Sequence, residues 1–248
     1  MDRLNSYIER INDAVKQVLK DRYIGVYIHG SVAEGTFKWD RSDVDVLVMM
    51  SGGLNSSEKI SLLQLFKELE SEGTEKGLEI SILNKEILET ADYPLPYEFH
   101  YSPYWYESVM SDGWENLNPK LLKDEDLSSH IFNLHQNHIV VEGPPVYEVF
   151  PEVSENDFMK SIEYDQYDAA VTSVDTVMNL CRFDYFLNTG RLVSKAEVLK
   201  HVLKRSKAYN EFLKVVECLY NHNKRYLPAE YLEEASQFRQ DINHKKEI

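Results

Sequence analysis

The chain has 248 residues and a formal net charge of −15 at pH 7, with 42 Asp and Glu against 27 Lys and Arg. This length allows a full hydrophobic core, in one large domain or two small ones. The acidic balance argues against a nucleic-acid-binding surface, because such a surface needs a basic stripe to neutralise phosphates. We therefore expect small or cationic partners and no nucleic acid.

Cysteine content and hydropathy indicate the compartment. The two cysteines, Cys181 and Cys218, lie in helical patterns and suggest no disulfide framework. Residues 1–15 carry charges throughout and lack the apolar core of a signal peptide, and no apolar run reaches the length of a membrane span. We expect a cytoplasmic monomer that does not bind membranes.

The first predicted elements are a helix and two strands. Apolar residues at helical spacing predict a helix over residues 3–20. The apolar run Tyr23–His29 stops at Gly30-Ser31, and a second run follows at Val44–Met50, which predicts strand, turn and strand. A glycine turn lets the backbone approach phosphate oxygens closely, and Ser31 places a hydroxyl beside it.

Asp43 and Asp45 flank the start of the second strand. Side chains of a strand alternate between its two faces, so these carboxylates are expected to project from the same face. Adjacent carboxylates repel each other and are unfavourable to bury without a compensating cation. A divalent metal would remove the repulsion, and ligation by oxygen atoms alone suits Mg²⁺. Asp43 and Asp45 are therefore candidate Mg²⁺ ligands.

This arrangement resembles a known signature. Gly30-Ser31, followed by Ser42 and by Asp43-Val44-Asp45 at the head of an apolar strand, is similar to the motif of the polymerase-β-like nucleotidyltransferases. The longer string HGSVAEG…SDVDVLV resembles the aminoglycoside adenylyltransferases that act on streptomycin and spectinomycin. The resemblance implies ATP as co-substrate and Mg²⁺ as cofactor. It also implies that the nucleotide binds near Gly30, Ser31 and Ser42.

A third carboxylate follows in the next predicted strand. Asn55 or Ser56 is a candidate N-cap for a helix that runs to about Glu70, and a strand is predicted at Leu78–Leu83. A lone glutamate at the start of a strand is most often a solvated edge residue. The resemblance implies instead that Glu79 is the general base, which accepts a proton from the attacking hydroxyl.

Residues 86–130 combine acidic and aromatic side chains, with ten Asp or Glu against two Lys. Such a surface suits a polycationic, sugar-like ligand, through ion pairs and cation–π contacts of roughly 0.5–2 kcal/mol each. The alternative is that most of these aromatic residues belong to the core and that the acids are solvated. The resemblance places an acceptor-binding aromatic about ten residues after Tyr93-Pro94, which leaves Tyr104 and Trp105 as alternatives.

A helix is predicted from Asp124 to Asn137, and a short strand follows at His138–Val141. The segment contains three histidines, His130, His135 and His138. Their spacing fits no usual zinc motif, so they are expected at the surface or as helix caps. Gly143-Pro144-Pro145 is the candidate domain boundary.

From Ser154 onwards only helical patterns follow. In this half the resemblance is concentrated in residues 179–195, and it implies that Arg182 and Lys195 bind the nucleotide phosphates. The expected fold is α/β + α. An N-terminal nucleotidyltransferase domain, residues 1–150, has a small mixed β-sheet, and a C-terminal all-helical bundle, residues 151–248, covers the active-site cleft.

The sequence departs from the aminoglycoside adenylyltransferases at the entry to the helix that contains Arg182. The family has acidic residues there, whereas this chain has Thr172-Ser173, and the preceding loop near Asp165–Asp168 is shorter than the Trp-bearing loop of streptomycin modifiers. Asp168 remains the candidate acceptor-binding residue. Spectinomycin is therefore expected to be a better acceptor than streptomycin.

We expect an enzyme that transfers AMP from ATP to a hydroxyl of a small cationic acceptor, an aminocyclitol or aminoglycoside antibiotic, with release of pyrophosphate. One alternative is an enzyme of the same fold that modifies a protein or another small molecule. Another is a non-catalytic nucleotide-binding or antitoxin-like module, although such a module has no need of Glu79.

Overall fold

The computed structural model describes residues 2–112, 122–168, 171–205 and 207–246. The chain divides into two compact units, Met1–Ser161 and Ile162–Ile248. The first contains a mixed sheet with helices, and the described part of the second is helical, which confirms the predicted fold class. Within the described ranges, no helix combines the length and the apolar character that crossing a membrane requires.

The helices are α1 (Asp2–Leu19), α2 (Gly30–Ala33), α3 (Ser56–Glu70), α4 (Lys85–Leu88), α5 (Pro103–Asp112), α6 (Leu127–Gln136), α7 (Val146–Val149), α8 (Glu155–Asp168), α9 (Val174–Thr189), α10 (Lys195–Arg205), α11 (Asn210–Asn221) and α12 (Leu232–Lys246). The strands are β1 (Tyr23–His29), β2 (Val44–Met50), β3 (Leu78–Asn84), β4 (Leu95–Tyr97), β5 (Phe99–Tyr101), β6 (Leu122–Asp124) and β7 (Ile139–Glu142). Single 3₁₀ turns lie at Lys20–Arg22 and Ala229–Tyr231.

A five-stranded sheet of order β5-β3-β2-β1-β7 forms the centre of the first unit. β2 runs parallel to β3 and antiparallel to β1. The register places Asp45 opposite Glu79 on one side and opposite His29 on the other. Because directly paired residues of neighbouring strands point to the same face, these three side chains form one row across the sheet.

Helices cover both faces of this sheet. On one face, Val46 and Val48 of β2 belong to a core that includes buried residues of α1 and α3. On the other face, Leu47 and Met49 pack in a second core with Leu127, Ile131 and Leu134 of α6. The two cores fix the register of β2, because a slip of one residue would exchange its two faces. The row formed by His29, Asp45 and Glu79 lies on the sheet face that α6 covers, at the start of β2.

Helix boundaries follow local capping. The Asn55 side chain accepts a hydrogen bond from the backbone N–H of Glu58, and the Glu58 side chain accepts one from the backbone N–H of Asn55, so the predicted cap forms a capping box. Ser173 caps α9 through the backbone N–H of Thr176. Gly190 ends α9 in the left-handed conformation, which glycine adopts readily.

The segment between residues 95 and 127 differs from the prediction. The strands β4, β5 and β6 have three residues each, which is too short for an alternating pattern to show. Asp124 is the last residue of β6 and pairs with Leu95, so the helix begins at Leu127 and not at Asp124.

Residues 165–168 also differ from the prediction. They are the last turn of α8 and not a loop, because the helix continues to Asp168.

Candidate active site

Three carboxylates converge at the start of β2. One carboxylate oxygen from each of Asp43, Asp45 and Glu79 lies within 4.8 Å of the other two. Asp43 immediately precedes β2, and Glu79 is the residue of β3 that pairs with Asp45. The parallel pairing of β2 with β3 therefore brings the three acidic residues singled out from the sequence into one cluster.

Burial and mutual repulsion perturb these acids. Burial raises the pKa of Asp45 well above its ordinary range, and the charges of Asp43 and Glu79 raise it further. Burial also raises the pKa of Glu79, against the opposing positive charges of His130 and Lys76. The Nζ atom of Lys76 lies 2.8 Å from Oδ2 of Asp43 and offsets part of the negative charge. A divalent cation would relieve the rest, and this all-oxygen donor set fits Mg²⁺.

The turn after β1 lies against this cluster. Gly30 has a φ of +60°, which favours glycine, and a Cβ atom at this position would overlap with Oδ2 of Asp45, which leaves no room for any other residue. The Oγ atom of Ser31 is buried and makes no hydrogen bond to any residue that the structure describes. A buried hydroxyl without a partner is unfavourable, so Ser31 suits a polar ligand at this turn. The hydroxyl of Ser42 accepts a hydrogen bond from the backbone N–H of Lys38, 3.1 Å away.

His130 of α6 lies beside the carboxylates, and its prediction as a surface or capping residue is wrong. Its Nε2 atom is 3.9 Å from Oε1 of Glu79 and 3.1 Å from Oδ2 of Asp126. A signal was present in the sequence, because position 130 follows Leu127 by three and precedes Leu134 by four, which places it on the apolar face of α6. By contrast, the Nδ1 atom of His138 lies 3.0 Å from the carbonyl oxygen of Leu134, as expected of a capping histidine.

Asp126 and His130 form a charged pair. Burial lowers the pKa of His130, but the charge of Asp126, its hydrogen bond and the charge of Glu79 outweigh burial and hold that pKa well above its ordinary value. Burial raises the pKa of Asp126, yet His130 and a hydrogen bond from Ser129 lower it to about 2. The ring of His29 stands 5.0 Å from that of His130, and burial followed by the His130 charge lowers the pKa of His29.

The two alternative aromatic residues have different surroundings. Tyr104 is 85% exposed. Trp105 is half-buried, with its ring 5.5 Å from that of Phe99 and 6.5 Å from that of His100. The Nδ1 atom of His100 lies 2.9 Å from Oγ of Ser81, on the same face of β3 as Glu79. These contacts link Trp105 through His100 to the strand that contains Glu79, whereas the side chain of Tyr104 is largely exposed.

The remaining candidates lie in the second unit. Arg182 lies within α9, and Lys195 is the first residue of α10. The Nζ atom of Lys195 is 2.8 Å from Oδ1 of Asp175, so the two helices are joined by an ion pair. The side chain of Asp168 lies outside the described part of the structure, as does Trp114.

Comparison with known proteins supports the resemblance in both halves of the chain. A family model described as a nucleotidyltransferase domain matches residues 8–101, and a model of the aminoglycoside adenylyltransferase C-terminal domain matches residues 148–244. The chain is 24% identical over 205 residues to a spectinomycin 9-adenylyltransferase of Enterococcus faecalis, covering 77% of this chain and 78% of the relative. It is 20% identical over 203 residues to an aminoglycoside (3'') (9) adenylyltransferase of Klebsiella pneumoniae, covering 78% and 76%.

The fold also matches a solved structure. The crystal structure of spectinomycin adenyltransferase AAD(9) from Enterococcus faecalis, with ATP and spectinomycin, matches with a TM-score of 0.81 at 20% identity, over 96% of this chain and 98% of that one. At this identity the match establishes the fold. The two family models in succession confirm the resemblance: the chain has a nucleotidyltransferase domain followed by the C-terminal domain of the aminoglycoside adenylyltransferases, and it is an adenylyltransferase enzyme.

Proposed function

We propose that the protein transfers AMP from ATP to a hydroxyl of an aminocyclitol antibiotic, with spectinomycin as the preferred acceptor, and releases pyrophosphate in an Mg²⁺-dependent reaction. The proposal rests on one observation, the convergence of Asp43, Asp45 and Glu79 beside the turn at Gly30-Ser31. The relatives named above are adenylyltransferases of spectinomycin or aminoglycosides, which supports this class of acceptor.

The reaction assigns different roles to the three carboxylates. The acceptor oxygen forms a bond to the α-phosphorus of ATP, and the bond from that phosphorus to the bridging oxygen of pyrophosphate breaks. Glu79 accepts the proton of the acceptor hydroxyl, and its raised pKa makes it a stronger base than a solvated glutamate. Asp43 and Asp45 would hold Mg²⁺, which when bound neutralises the charge of the polyphosphate.

Other residues position the nucleotide. The buried hydroxyl of Ser31 donates a hydrogen bond to a phosphate oxygen, which removes the unfavourable burial of a polar group. Gly30 leaves room for this approach, and Ser42 holds the loop that leads to Asp43. Arg182 and Lys195 add positive charge to the phosphates, as the resemblance implies.

For the acceptor, Trp105 is favoured over Tyr104 because its ring is fixed against His100 and Phe99. A rigid aromatic ring binds a cationic aminocyclitol at a lower entropic penalty than a freely rotating one. Asp168 stays a candidate for the ion pair with the acceptor amines.

The test measures pyrophosphate release with ATP and Mg²⁺ in the presence of spectinomycin, streptomycin, a lincosamide or candidate proteins, and identifies the adenylylated product by mass spectrometry. We expect kcat/KM to be higher for spectinomycin than for streptomycin. The Glu79→Gln variant controls for contaminating activity. Preference for streptomycin would overturn the ranking, and turnover with neither antibiotic would place the acceptor outside this class.

A further inference from the structure

The proposed chemistry assigns no role to His130 of α6, which lies beside Glu79. One atom of His130, Nε2, faces two carboxylates, with Oδ2 of Asp126 at 3.1 Å and Oε1 of Glu79 at 3.9 Å. The shorter contact is a hydrogen bond in which the ring donates to Asp126. The longer contact is an ion pair without a hydrogen bond. Asp126 therefore fixes the ring, and Glu79 lies near its positively charged Nε2 edge.

Asp126 is itself held in place. It occupies the N-cap position of α6, yet its side chain makes no capping hydrogen bond to the backbone. Its carboxylate instead accepts hydrogen bonds from His130 and from Oγ of Ser129, the latter at 2.6 Å. Its backbone N–H donates to Oδ1 of Asp124 at 2.9 Å. The Asp126 carboxylate does not cap the helix and is held by two hydrogen bonds, so it is a rigid support for the His130 ring.

The support is anchored in the core. The backbone N–H of Ser129 donates to Oγ of Ser161, a buried contact of 3.0 Å. On the same helix Leu127, Ile131 and Leu134 are completely buried against β1, β2 and β3. The position of His130 relative to the sheet is therefore set by packing and does not depend on a flexible loop.

The charges around Glu79 show what this ring does. Asp43, Asp45 and Asp126 all surround Glu79 with negative charge. Positive charge near Glu79 comes from His130 and Lys76. Lys76 also pairs with Asp43, whereas the attraction from the α6 side comes from the Nε2 edge of His130, 3.9 Å from Oε1 of Glu79.

We propose that His130, anchored by Asp126, is a positioning residue that holds the Glu79 carboxylate in the orientation in which it accepts the proton of the acceptor hydroxyl. This inference rests on the proposed role of Glu79 as the base. His130 itself does not touch the reacting atoms. Without it, the Glu79 side chain turns away from the negative cluster and populates the productive orientation less often.

The test is a double-mutant cycle of His130→Leu and Glu79→Gln. We expect His130→Leu to lower kcat by about 10–100-fold, the usual effect of losing a supporting partner. The affinity for Mg²⁺-ATP, measured by calorimetry, and KM for the acceptor should stay within about threefold, because the ring contacts neither. In the Glu79→Gln background, His130→Leu should have no further effect on kcat, since there is no base left to position.

Two variants on or beside the same helix complete the design. His130→Gln keeps an N–H donor near the place of Nε2 and should recover part of kcat, which a loss of packing alone would not explain. His138→Leu removes an exposed histidine whose ring bonds to the backbone of α6, and it should behave as wild type. If His130→Leu does not fold, as judged by circular dichroism, His130→Asn replaces it in the cycle.

Two results would overturn the inference. One is an unchanged kcat after removal of His130. The other is a loss of kcat that is just as large in the Glu79→Gln background, which would mean that His130 acts independently of Glu79. A wrong assignment of Glu79 as the base gives a different result, because the Glu79→Gln variant alone would then keep the turnover of the wild type.

Discussion

The backbone of Gly30 lies in contact with the carboxylate of Asp45, so close that a Cβ atom at position 30 would overlap with Oδ2. The φ of +60° at Gly30 places the same residue in the left-handed region. A steric and a conformational constraint therefore act together next to the carboxylate cluster: the contact with Asp45 leaves no room for a Cβ atom, and the left-handed φ disfavours an L-residue.

Gly30→Ala should abolish turnover because the new methyl group displaces Asp45. Gly35→Ala is a matched control, since Gly35 has a φ of +69° but a Cβ atom there would meet no described atom within 4 Å. The control should lose only about 1–2 kcal/mol of stability, for the left-handed conformation of alanine. Urea denaturation and turnover of both variants check this. Equal losses in the two would contradict a clash with Asp45.

Asp45→Asn should separate stability from activity. Burial raises the pKa of Asp45, so a neutral amide of the same shape is easier to bury, and the metal-free variant should melt at the same temperature as wild type or higher. Turnover and the Mg²⁺-induced rise in Tm should both be lost. Asp40→Asn, which removes an exposed charge from the preceding loop, should change neither. Full wild-type activity in excess chelator would contradict the metal assignment.

Glu79→Gln should remove the base and leave nucleotide binding intact. We expect kcat to fall by about 10²–10⁴-fold, the usual contribution of a general base. Calorimetry with Mg²⁺-ATP should give an affinity within a few-fold of wild type. If ATP binding were lost as well, Glu79 would act as a metal ligand or a structural residue.

Arg182→Ala and Lys195→Ala should each weaken ATP binding, and the effect should grow as ionic strength falls, because each variant removes a charge that is screened by salt. Lys200→Ala is the control, an exposed lysine on the same helix as Lys195. Titration with ATP at two salt concentrations distinguishes them. A uniform effect of all three substitutions would indicate a loss of net charge and no specific contact.

The central strands could be predicted from sequence. β1 and β2 have the bounds that were predicted, because each is an apolar run that ends at a turn or at charged residues. The common face of Asp43 and Asp45 also followed from strand geometry. That Glu79 joins them depends on the register of β3 against β2, which is set by tertiary packing, and only the resemblance to a family indicated it.

His130 shows where pattern reasoning fails. Its helix was predicted, and its spacing from Leu127 and Leu134 places it on the apolar face, but a search for zinc spacing tests sequence neighbours only. Its partner Glu79 is contributed by a strand of the sheet on which α6 packs. Recognition of the pair requires the docking of α6 on the sheet.

Because the carboxylate cluster depends on the register of β2 against β3, it also indicates whether these strands have paired correctly. Asp45 and Glu79 meet only when two parallel strands, separated along the chain by α3, pair without slipping. A chain displaced by one residue would turn Glu79 towards the opposite core and leave two carboxylates where the folded protein has three. During refolding, helical circular dichroism can recover while this alignment is still incomplete. Recovery of the proposed Mg²⁺ binding would therefore time the correct alignment of the central strands, independently of helix formation.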